Sequence, residues 1–209
     1  MRDCVFLVAD SQMEEAFKGF FSRDNFWLSI GCAEFAFDPN EDLFVASGDN
    51  DPGLFIRGHE LLRPYQNTHQ YGVIVMDAEW DGSPGAEVIA REMTQRLLRS
   101  GWKDGQVLVI VIVPELENWI WQRSIHLAKA IGFASESEML SCPVVKEFWN
   151  DGENKPRQPK KCLETVLELN CKPRSSALYR RVTSIVSMKG CTEASFLQLT
   201  KCLRGWFPL

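Results

Sequence analysis

The chain has 209 residues, 45% of them hydrophobic, and a formal net charge of −5. This length predicts one domain, or one domain with a small appendage, and enough apolar residues for a sizeable core. No apolar run approaches the roughly 20 residues of a membrane-spanning helix, and the N-terminus lacks the regions of a signal peptide. We therefore expect a cytoplasmic protein that does not enter a membrane.

The first elements alternate between strand and helix. The continuous apolar run "CVFLVA", at Cys4–Ala9, is typical of a buried strand. A helix is expected next, because Ser11 is a candidate N-cap, Glu14 follows three residues later, and apolar residues repeat at helical spacing up to Phe21. The alternating segment Cys32–Asp38 predicts a second strand.

The middle of the chain continues this alternation. Residues Pro39–Gly53 are rich in Asp, Asn, Gly and Pro, which predicts mostly loop, with a short strand in "DLFVAS". "LFIRGHELLRPY" predicts a helix that ends near Pro64, and "YGVIVMD" predicts the next strand. "GSPGAEVIAREMTQRLLRSGW" predicts a helix with Pro84 near its first turn and Gly101 just past its end.

A last strand, "QVLVIVIVP", precedes the helical pattern "ELENWIWQRSIHLAKAIG". Strands that alternate with helices and are almost continuously apolar indicate an α/β fold with a mostly parallel sheet flanked by helices. The polar connector Asn150–Lys161 then leads to three helical patterns, "CLETVLELN", "SSALYRRVTSIVSM" and "TEASFLQLTKCLRGWFP". We expect an α/β domain at residues 1–135 and a helical, basic C-terminal region at residues 136–209, packed on it.

Acidic residues follow three of the predicted strands. Asp10 follows the first strand, Asp77 and Glu79 follow the strand at Tyr71–Met76, and Glu115 and Glu117 follow the last strand. The carboxyl ends of parallel strands share one edge of a sheet, where ligands bind. If these strands are neighbours, their acids converge.

Two explanations for these acids compete. Acids favour helix N-termini, where they cap the backbone, and this explains Asp10 and Glu115 well. It explains Asp77 and Glu79 less well, because several residues separate them from the next helix. Convergent carboxylates repel one another unless a cation neutralises them, and the usual partner of an oxygen-only site is Mg²⁺ or Mn²⁺.

The cysteines and histidines show no motif. The number of cysteines, seven, is odd, and no two of them have C-x-x-C spacing. The three histidines form no H-E-x-x-H pattern. These patterns argue against a zinc site and a disulfide framework. Most of the cysteines are expected to be small buried residues in a reducing compartment.

The acids and their surroundings resemble the TOPRIM fold of topoisomerases, primases and OLD-type nucleases. The chain is more closely similar to a family of small bacterial TOPRIM-like proteins assigned to a methylation-associated antiphage defence system. The stretches that carry this resemblance are "LVADSQMEEAFKGFFSR", "NDPG", "RGHELLRPY", "VIVMDAEWDG", "VPELENWIW", "KPRQPKK", "PRSSALY" and "FLQL…LRGWFP". The resemblance implies a TOPRIM-like domain at residues 1–135 and a defence function together with other proteins of that system.

The resemblance also implies roles for individual acids. TOPRIM enzymes carry Glu-Gly after the first strand; here "VAD" stands in that place, so Asp10 or Glu14 would take the role of the glutamate. "DAE" stands for D-x-D and offers Asp77 and Glu79. Glu117 matches the recurrent P-x-x-E-x-W pattern. The metal ligands for Mg²⁺ or Mn²⁺ would be Asp10, Asp77, Glu79 and Glu117, and the catalytic residues Glu14, Asp77, Glu79 and Glu117.

The second half of the chain is basic. Residues 1–122 hold 20 acidic and 9 basic residues, whereas residues 123–209 hold 8 acidic and 14 basic ones. This asymmetry indicates a contact with nucleic acid, a solvated face, or docking on the acidic half. The candidate nucleic-acid contacts are Lys155, Arg157, Lys160, Lys161, Arg174 and Arg181, and Tyr179 is a candidate for stacking on a base.

Three functions fit these patterns. The first is a Mg²⁺-dependent phosphoryl-transfer enzyme, nuclease-like, in bacterial antiphage defence. The second is a non-catalytic subunit that binds nucleic acid or protein in a defence complex. The third is a nucleotide-sensing module, although the chain has neither G-x-G-x-x-G nor a P-loop. Carboxylates that converge favour the first function, and carboxylates that diverge favour the second.

Overall fold

The computed structural model describes residues 1–46, 48, 50–187 and 190–209. Within these ranges the chain forms one four-stranded, all-parallel sheet with strand order β2-β1-β3-β4. The strands are β1 (Arg2–Val8), β2 (Leu43–Val45), β3 (His69–Asp77) and β4 (Val107–Ile112). Helices flank this sheet, so the predicted α/β class with a mostly parallel sheet is confirmed.

Helices make up most of the remaining described chain. They are α1 (Ser11–Phe21), α2 (Phe26–Ile30), α3 (Asn50–Leu62), α4 (Ala86–Ser100), α5 (Glu117–Ile120), α6 (Ile125–Ile131), α7 (Glu136–Ser141), α8 (Pro143–Phe148), α9 (Pro159–Leu169), α10 (Ser176–Ile185) and α11 (Ala194–Trp206). A 3₁₀ turn at Arg63–Asn67 follows α3. None of the helices in the described ranges combines the length and the apolar character that crossing a bilayer requires.

The helices lie on both faces of the sheet. Right-handed crossovers between parallel strands place α1 on one face and both α3 and α4 on the other. On the first face, Phe6 of β1 packs against Phe21 of α1, with ring centroids 5.0 Å apart. On the second face, a Cβ at Gly58 of α3 would lie 3.1 Å from Ile74 of β3 and 3.3 Å from Met93 of α4. Burial on both faces explains why the strands are continuously apolar.

The C-terminal helices pack directly on this layer. Helix α10 runs along α1, and α11 contacts β4. A Cβ at Gly19, in the last turn of α1, would lie 2.2 Å from Oγ1 of Thr183 and 2.4 Å from the carbonyl oxygen of Arg180. Only glycine permits the two helix backbones to approach this closely. At the end of α11, Trp206 stacks on Tyr71 of β3 at 4.3 Å.

The predicted strand at Cys32–Asp38 is wrong. The segment is irregular, and β2 takes the position beside β1 instead. Its contacts are made without strand pairing: Phe35 stacks on Phe207 at 4.4 Å, and the N–H of Ala33 donates to the carbonyl oxygen of Phe207. Cys32 and Phe35 are buried, three residues apart, so the burial does not follow the two-residue period of a strand.

Two helix boundaries also differ from the prediction. Helix α3 begins at Asn50, inside the expected loop, so its first turn includes Asp51. The long helix expected after β4 is split into α5 and α6. The split occurs because Trp121 adopts an extended conformation and buries its ring, donating from Nε1 to the carbonyl oxygen of Pro159 at 2.8 Å. Ser124 then caps the new helix by accepting from the N–H of His126.

Candidate functional site

The register of the sheet brings the strand-end acids to one edge. Val8 of β1 pairs with Val75 of β3, so Asp10 and Asp77 each lie two residues beyond the same level. Asp77 itself pairs with Ile112, the last residue of β4. Because β1, β3 and β4 are neighbours, the acids after these three strands meet at the carboxyl edge of the sheet. Asp51, in the first turn of α3, belongs to the same group. We call this group the acidic edge; its members are Asp10, Asp51, Asp77, Glu115 and Glu117.

Asp10 is the N-cap of α1. Its Oδ1 accepts hydrogen bonds from the backbone N–H groups of Gln12 and Met13, both at 2.8 Å. The capping residue is therefore Asp10 and not Ser11, which is the first residue of the helix. The capping explanation is correct for Asp10, and it leaves the carboxylate fixed in place at the acidic edge.

Asp77 differs from the other described acids because one of its carboxylate oxygens is buried without a partner. Its Oδ1 is buried and has no hydrogen-bond partner among the described residues. Burial raises the pKa of Asp77 well above its usual range, and neighbouring negative charges raise it further. These charges belong to Asp51, Glu117, Asp10 and Glu115. No helix begins at Asp77, so capping does not explain it.

Asp51 is the acid that the sequence analysis missed. It lies in the first turn of α3, and its Oδ1 accepts the backbone N–H of Asp77 at 2.7 Å. Burial raises the pKa of Asp51, and the charge of Asp10 adds to this effect. The available signal was an acid at the start of a helix after β2, but the prediction of a loop over Pro39–Gly53 concealed that helix.

Glu117 is buried and already has a cationic partner. Its side chain accepts from Nη2 of Arg174 at 2.8 Å and from the hydroxyl of Tyr179. Arg174 also donates to Glu164 at 2.7 Å and to the side-chain oxygen of Gln12 at 2.9 Å. Tyr179 is fully buried, so its ring is not available to stack on a base. The C-terminal region thus neutralises one carboxylate of the acidic edge.

Glu115 lies next to Glu117 and contacts the start of α9. Its Oε1 accepts the backbone N–H of Lys160 at 3.0 Å, and the Nζ of Lys160 is 3.9 Å from Oε2. Burial raises the pKa of Glu115, and the charge of Glu117 raises it further. The ammonium group of Lys160, from the C-terminal region, therefore forms only a long ion pair with this carboxylate.

The two remaining predicted site residues lie at the margin of the acidic edge. Glu14, one turn into α1, pairs with Lys18 at 2.8 Å. Glu79 is exposed beside the shallow depression that Trp80 and Val113 line. Its charge nevertheless contributes to the raised pKa of Glu115. Glu14 and Glu79 would take their predicted roles at a metal site only after their side chains turn toward Asp77.

The acidic edge has the donor chemistry of a divalent-cation site, without a preformed geometry. Among the residues that the structure describes, no three Asp, Glu, His or Cys side chains are placed to share one ion. The donors are carboxylate oxygens, which suit Mg²⁺ and Mn²⁺. The buried Oδ1 of Asp77, which has no partner among the described residues, is chemically suited to a cation, and the other carboxylates would have to rotate to share it.

The raised pKa values predict that the metal-free protein becomes more stable as the solution becomes more acidic. A carboxyl group whose pKa is higher in the folded than in the unfolded state binds more protons when folded, so the free energy of unfolding increases as pH falls. Asp77, Asp51 and Glu115 all act in this direction. We expect a higher melting temperature at about pH 5 than at about pH 7.5, a window above the ordinary carboxyl pKa values.

The measurement is thermal unfolding in EDTA across this range, with Asp77→Asn as the comparison. The variant lacks this titrating carboxyl group, so its melting temperature should depend less on pH. Asp42 acts in the opposite direction, because hydrogen bonds from Arg2 and His69 outweigh its burial and lower its pKa. Its contribution is lost only at lower pH. Equal pH dependence in both proteins would contradict the assignment to Asp77.

Two of the predicted nucleic-acid contacts are used within the fold. The ammonium group of Lys155 donates to the carbonyl oxygen of Trp121, and burial lowers the pKa of this lysine. Arg157 pairs with Glu153 at 2.8 Å. Lys155 therefore stabilises the extended residue Trp121 after α5. Arg157 makes its ion pair within the connector Asn150–Lys161, because Glu153 belongs to the same segment.

The other four basic residues divide into two groups. Lys160 and Arg174 face the acidic edge, as described above. Lys161 is exposed, 6.0 Å from the ring centroid of Phe148, and Arg181 is exposed on α10. Docking on the acidic half, the third explanation of the basic half, thus applies to Lys160 and Arg174, whereas Lys161 and Arg181 remain accessible to a ligand.

Comparisons of the chain with protein-family models, curated protein sequences and solved structures find no match. The resemblance to TOPRIM proteins therefore rests on the residues quoted above. The α/β class and the acidic edge rest on the structure itself.

Proposed function

We propose that the chain binds a divalent cation, Mg²⁺ or Mn²⁺, at the acidic edge and that this cation serves phosphoryl transfer. The observation that carries the proposal is Asp77, whose buried Oδ1 has no hydrogen-bond partner within the described part of the chain. A buried carboxylate without a donor is costly unless a proton or a cation neutralises it. The raised pKa of Asp77 expresses the same cost.

The proposed ligands come from three elements. Asp77 ends β3, Asp51 begins α3 and Asp10 caps α1, so a cation among them would link the sheet to both helix layers. Glu115 lies at the same edge, and its negative charge helps to raise the pKa of Asp77. When bound, such a cation neutralises the carboxylates and polarises phosphate oxygens. The side chains would reach it by rotation from the positions described above.

Arg174 has a supporting role in this proposal. Two carboxylates, Glu117 and Glu164, hold its guanidinium, and its side chain is 26% exposed. Tyr179, Glu164, Gln12 and Glu117 accept four of its five N–H groups, so the second N–H of Nη1 is the one left for a phosphate oxygen that approaches the acidic edge. Glu117 then positions Arg174, in place of the predicted role as a metal ligand.

The nature of the substrate and the biological setting come from the resemblance. TOPRIM-like proteins include nucleases, so we propose the phosphodiester of a nucleic acid as substrate and antiphage defence in the bacterial cytoplasm as setting. The exposed Lys161 and Arg181 support a polyanionic substrate. Other proteins of a defence system are proposed partners on the same ground.

A second candidate is a non-catalytic subunit that binds nucleic acid or protein. Two observations favour it: Arg174 already neutralises Glu117, and no three acidic, thiol or imidazole groups of the described residues are in place for one ion. In that case the acidic edge is a structural junction between the sheet and the C-terminal helices.

The test is an incubation of the protein with labelled DNA and RNA, single- and double-stranded, in Mg²⁺, Mn²⁺ or EDTA. We expect cleavage that requires the metal and that Asp77→Asn abolishes, because this change removes a charged ligand. Glu34→Gln is the matched control, since Glu34 is an exposed acid outside the acidic edge. Cleavage that survives in Asp77→Asn would contradict the proposal. Metal binding without any cleavage would favour the non-catalytic subunit.

A further inference from the structure

A second group of charged residues lies far from the acidic edge. Helix α3 begins at Asn50, with Asp51 in its first turn at the carboxyl edge of the sheet, and ends before β3, while α4 ends shortly before β4. The C-terminal halves of these two helices therefore lie toward the amino edge of the strands. Arg96, the first cleft residue of α4, lies ten residues after the start of that helix, about 15 Å along its axis from the carboxyl edge of the sheet.

An open cleft runs between these helix halves. Four of its lining residues are cationic or can become so, namely His59, Arg63, Arg96 and Arg99. Glu60 is the acid that lines it. We call this the α3–α4 cleft. Its volume of about 640 Å³ is in the range of small-ligand sites.

The walls of the cleft are held in place by contacts within the fold. Arg96 donates to the carbonyl oxygen of Phe55 at 2.7 Å and to Glu92 at 3.0 Å, and its guanidinium lies 4.7 Å from the ring centroid of Phe55. Gln66, in the 3₁₀ turn after α3, donates to the carbonyl oxygen of Ser100 at 3.0 Å. The two helix ends are therefore joined across the cleft.

The remaining cations have no such contacts. Arg63 and Arg99 are exposed, and neither forms an ion pair or a side-chain hydrogen bond with the described residues. The Nδ1 atom of His59 is buried and likewise lacks a hydrogen-bond partner in the described ranges. Two guanidinium groups without a partner among the described residues thus line the same cleft as the imidazole of His59.

The helix dipole explains part of this arrangement. Cations near a helix C-terminus are stabilised by the dipole, which suits Arg63 after α3 and Arg99 in the last turn of α4. The dipole does not explain why cations from two helices line one cleft. A ligand that accepts hydrogen bonds from both helices explains this convergence.

We infer that the α3–α4 cleft binds a phosphate group. Arg63 and Arg99 offer guanidinium forks, which match the geometry of phosphate oxygens. His59 lines the same cleft, and its imidazole ring would have to rotate to bring Nδ1 to an oxygen of the same group. A phosphate ester can come from a free nucleotide or from the backbone of a nucleic acid, and the chemistry of the cleft is the same for both. The inference concerns residues outside the acidic edge and holds whether or not that edge binds a metal.

The experiment measures binding in EDTA, so that metal at the acidic edge plays no part. Two probes are used, a short fluorescent single-stranded oligonucleotide and inorganic pyrophosphate. The variants are Arg63→Glu and Arg99→Glu. Arg91→Glu is the matched control, because Arg91 is an exposed arginine of α4 outside the cleft and the charge change is the same. All three positions are exposed, so the fold tolerates the changes.

We expect each cleft variant to weaken binding about tenfold or more, the loss of a charge-assisted hydrogen bond, and Arg91→Glu to bind like the wild type. The salt dependence of oligonucleotide binding should decrease by about one unit per phosphate contact removed. Loss confined to pyrophosphate identifies a nucleotide-type ligand, and loss confined to the oligonucleotide identifies a nucleic-acid backbone. Both results support the inference.

Two results would overturn it. One is that the wild type binds neither probe. The other is that Arg63→Glu and Arg99→Glu bind both probes as Arg91→Glu does. Lys161→Glu with Arg181→Glu provides a further comparison, because it tests the exposed basic residues of the C-terminal region. Loss of oligonucleotide binding in that double variant alone would place the contact there and refute the cleft. None of these outcomes depends on cleavage activity.

Discussion

Replacing Arg174 with Met is expected to destabilise the protein by about 3 kcal/mol or more, because it leaves the carboxylate of Glu117 buried without a cation. Glu117 is 2% exposed, and Nη2 of Arg174 lies 2.8 Å from its Oε1. The hydroxyl of Tyr179 would remain as a donor, but a neutral group does not balance the charge. Met keeps much of the apolar stem, so the loss reports charge more than packing. Urea-induced unfolding measures it.

The control for this prediction is the double variant with Glu117→Gln. Removing both charges leaves a neutral pair, so the double variant should recover most of the lost free energy of unfolding. Arg157→Met serves as a second control, since the pair of Arg157 with Glu153 is largely exposed and should matter little. A single variant as stable as the wild type would show that Arg174 does not neutralise Glu117.

The sequence was most informative where burial is continuous. Strands β1, β3 and β4 are covered on both faces, so each appears as an unbroken apolar run. Helices α4, α9, α10 and α11 follow from apolar spacing and from Pro and Gly at their ends. The resulting α/β order also placed Asp10 and Asp77 at the same edge, because the carboxyl ends of parallel strands always share one.

Distant contacts account for what the sequence could not reveal. Glu117 meets Arg174 across 57 residues and Tyr179 across 62, and no local pattern links them. Because of these contacts, Glu117 holds the guanidinium group of Arg174 and does not have the predicted role of a metal ligand. Asp51 was missed for a related reason: its importance comes from the backbone of Asp77, 26 residues away, which it contacts.

The Asp77→Asn change is the second prediction of large effect. In the metal-free protein it should raise the melting temperature, because it removes the group whose burial and neighbours oppose ionisation. Asn is nearly isosteric, so the packing at the end of β3 should be kept. A gain of only 1 kcal/mol would raise the melting temperature of a chain of this size by about 2–4 °C. Glu34→Gln is the matched comparison: it should change stability little, since Glu34 is an exposed acid outside the acidic edge.

Added Mg²⁺ or Mn²⁺ should stabilise the wild type much more than the variant. A cation that binds the folded state stabilises it by about 2.7 kcal/mol at a concentration 100 times its dissociation constant. The wild type should gain this stabilisation. The variant lacks one charged ligand and should gain much less, so its advantage in EDTA should shrink or reverse when metal is present.

The most direct test of the acidic edge is therefore thermal unfolding of wild type and Asp77→Asn, each in EDTA and in excess Mg²⁺ or Mn²⁺. The cation-site account predicts that Asp77→Asn melts higher than the wild type in EDTA, and that metal raises the melting temperature of the wild type much more than that of the variant. Equal melting temperatures in EDTA, together with equal or absent responses to metal, would contradict it.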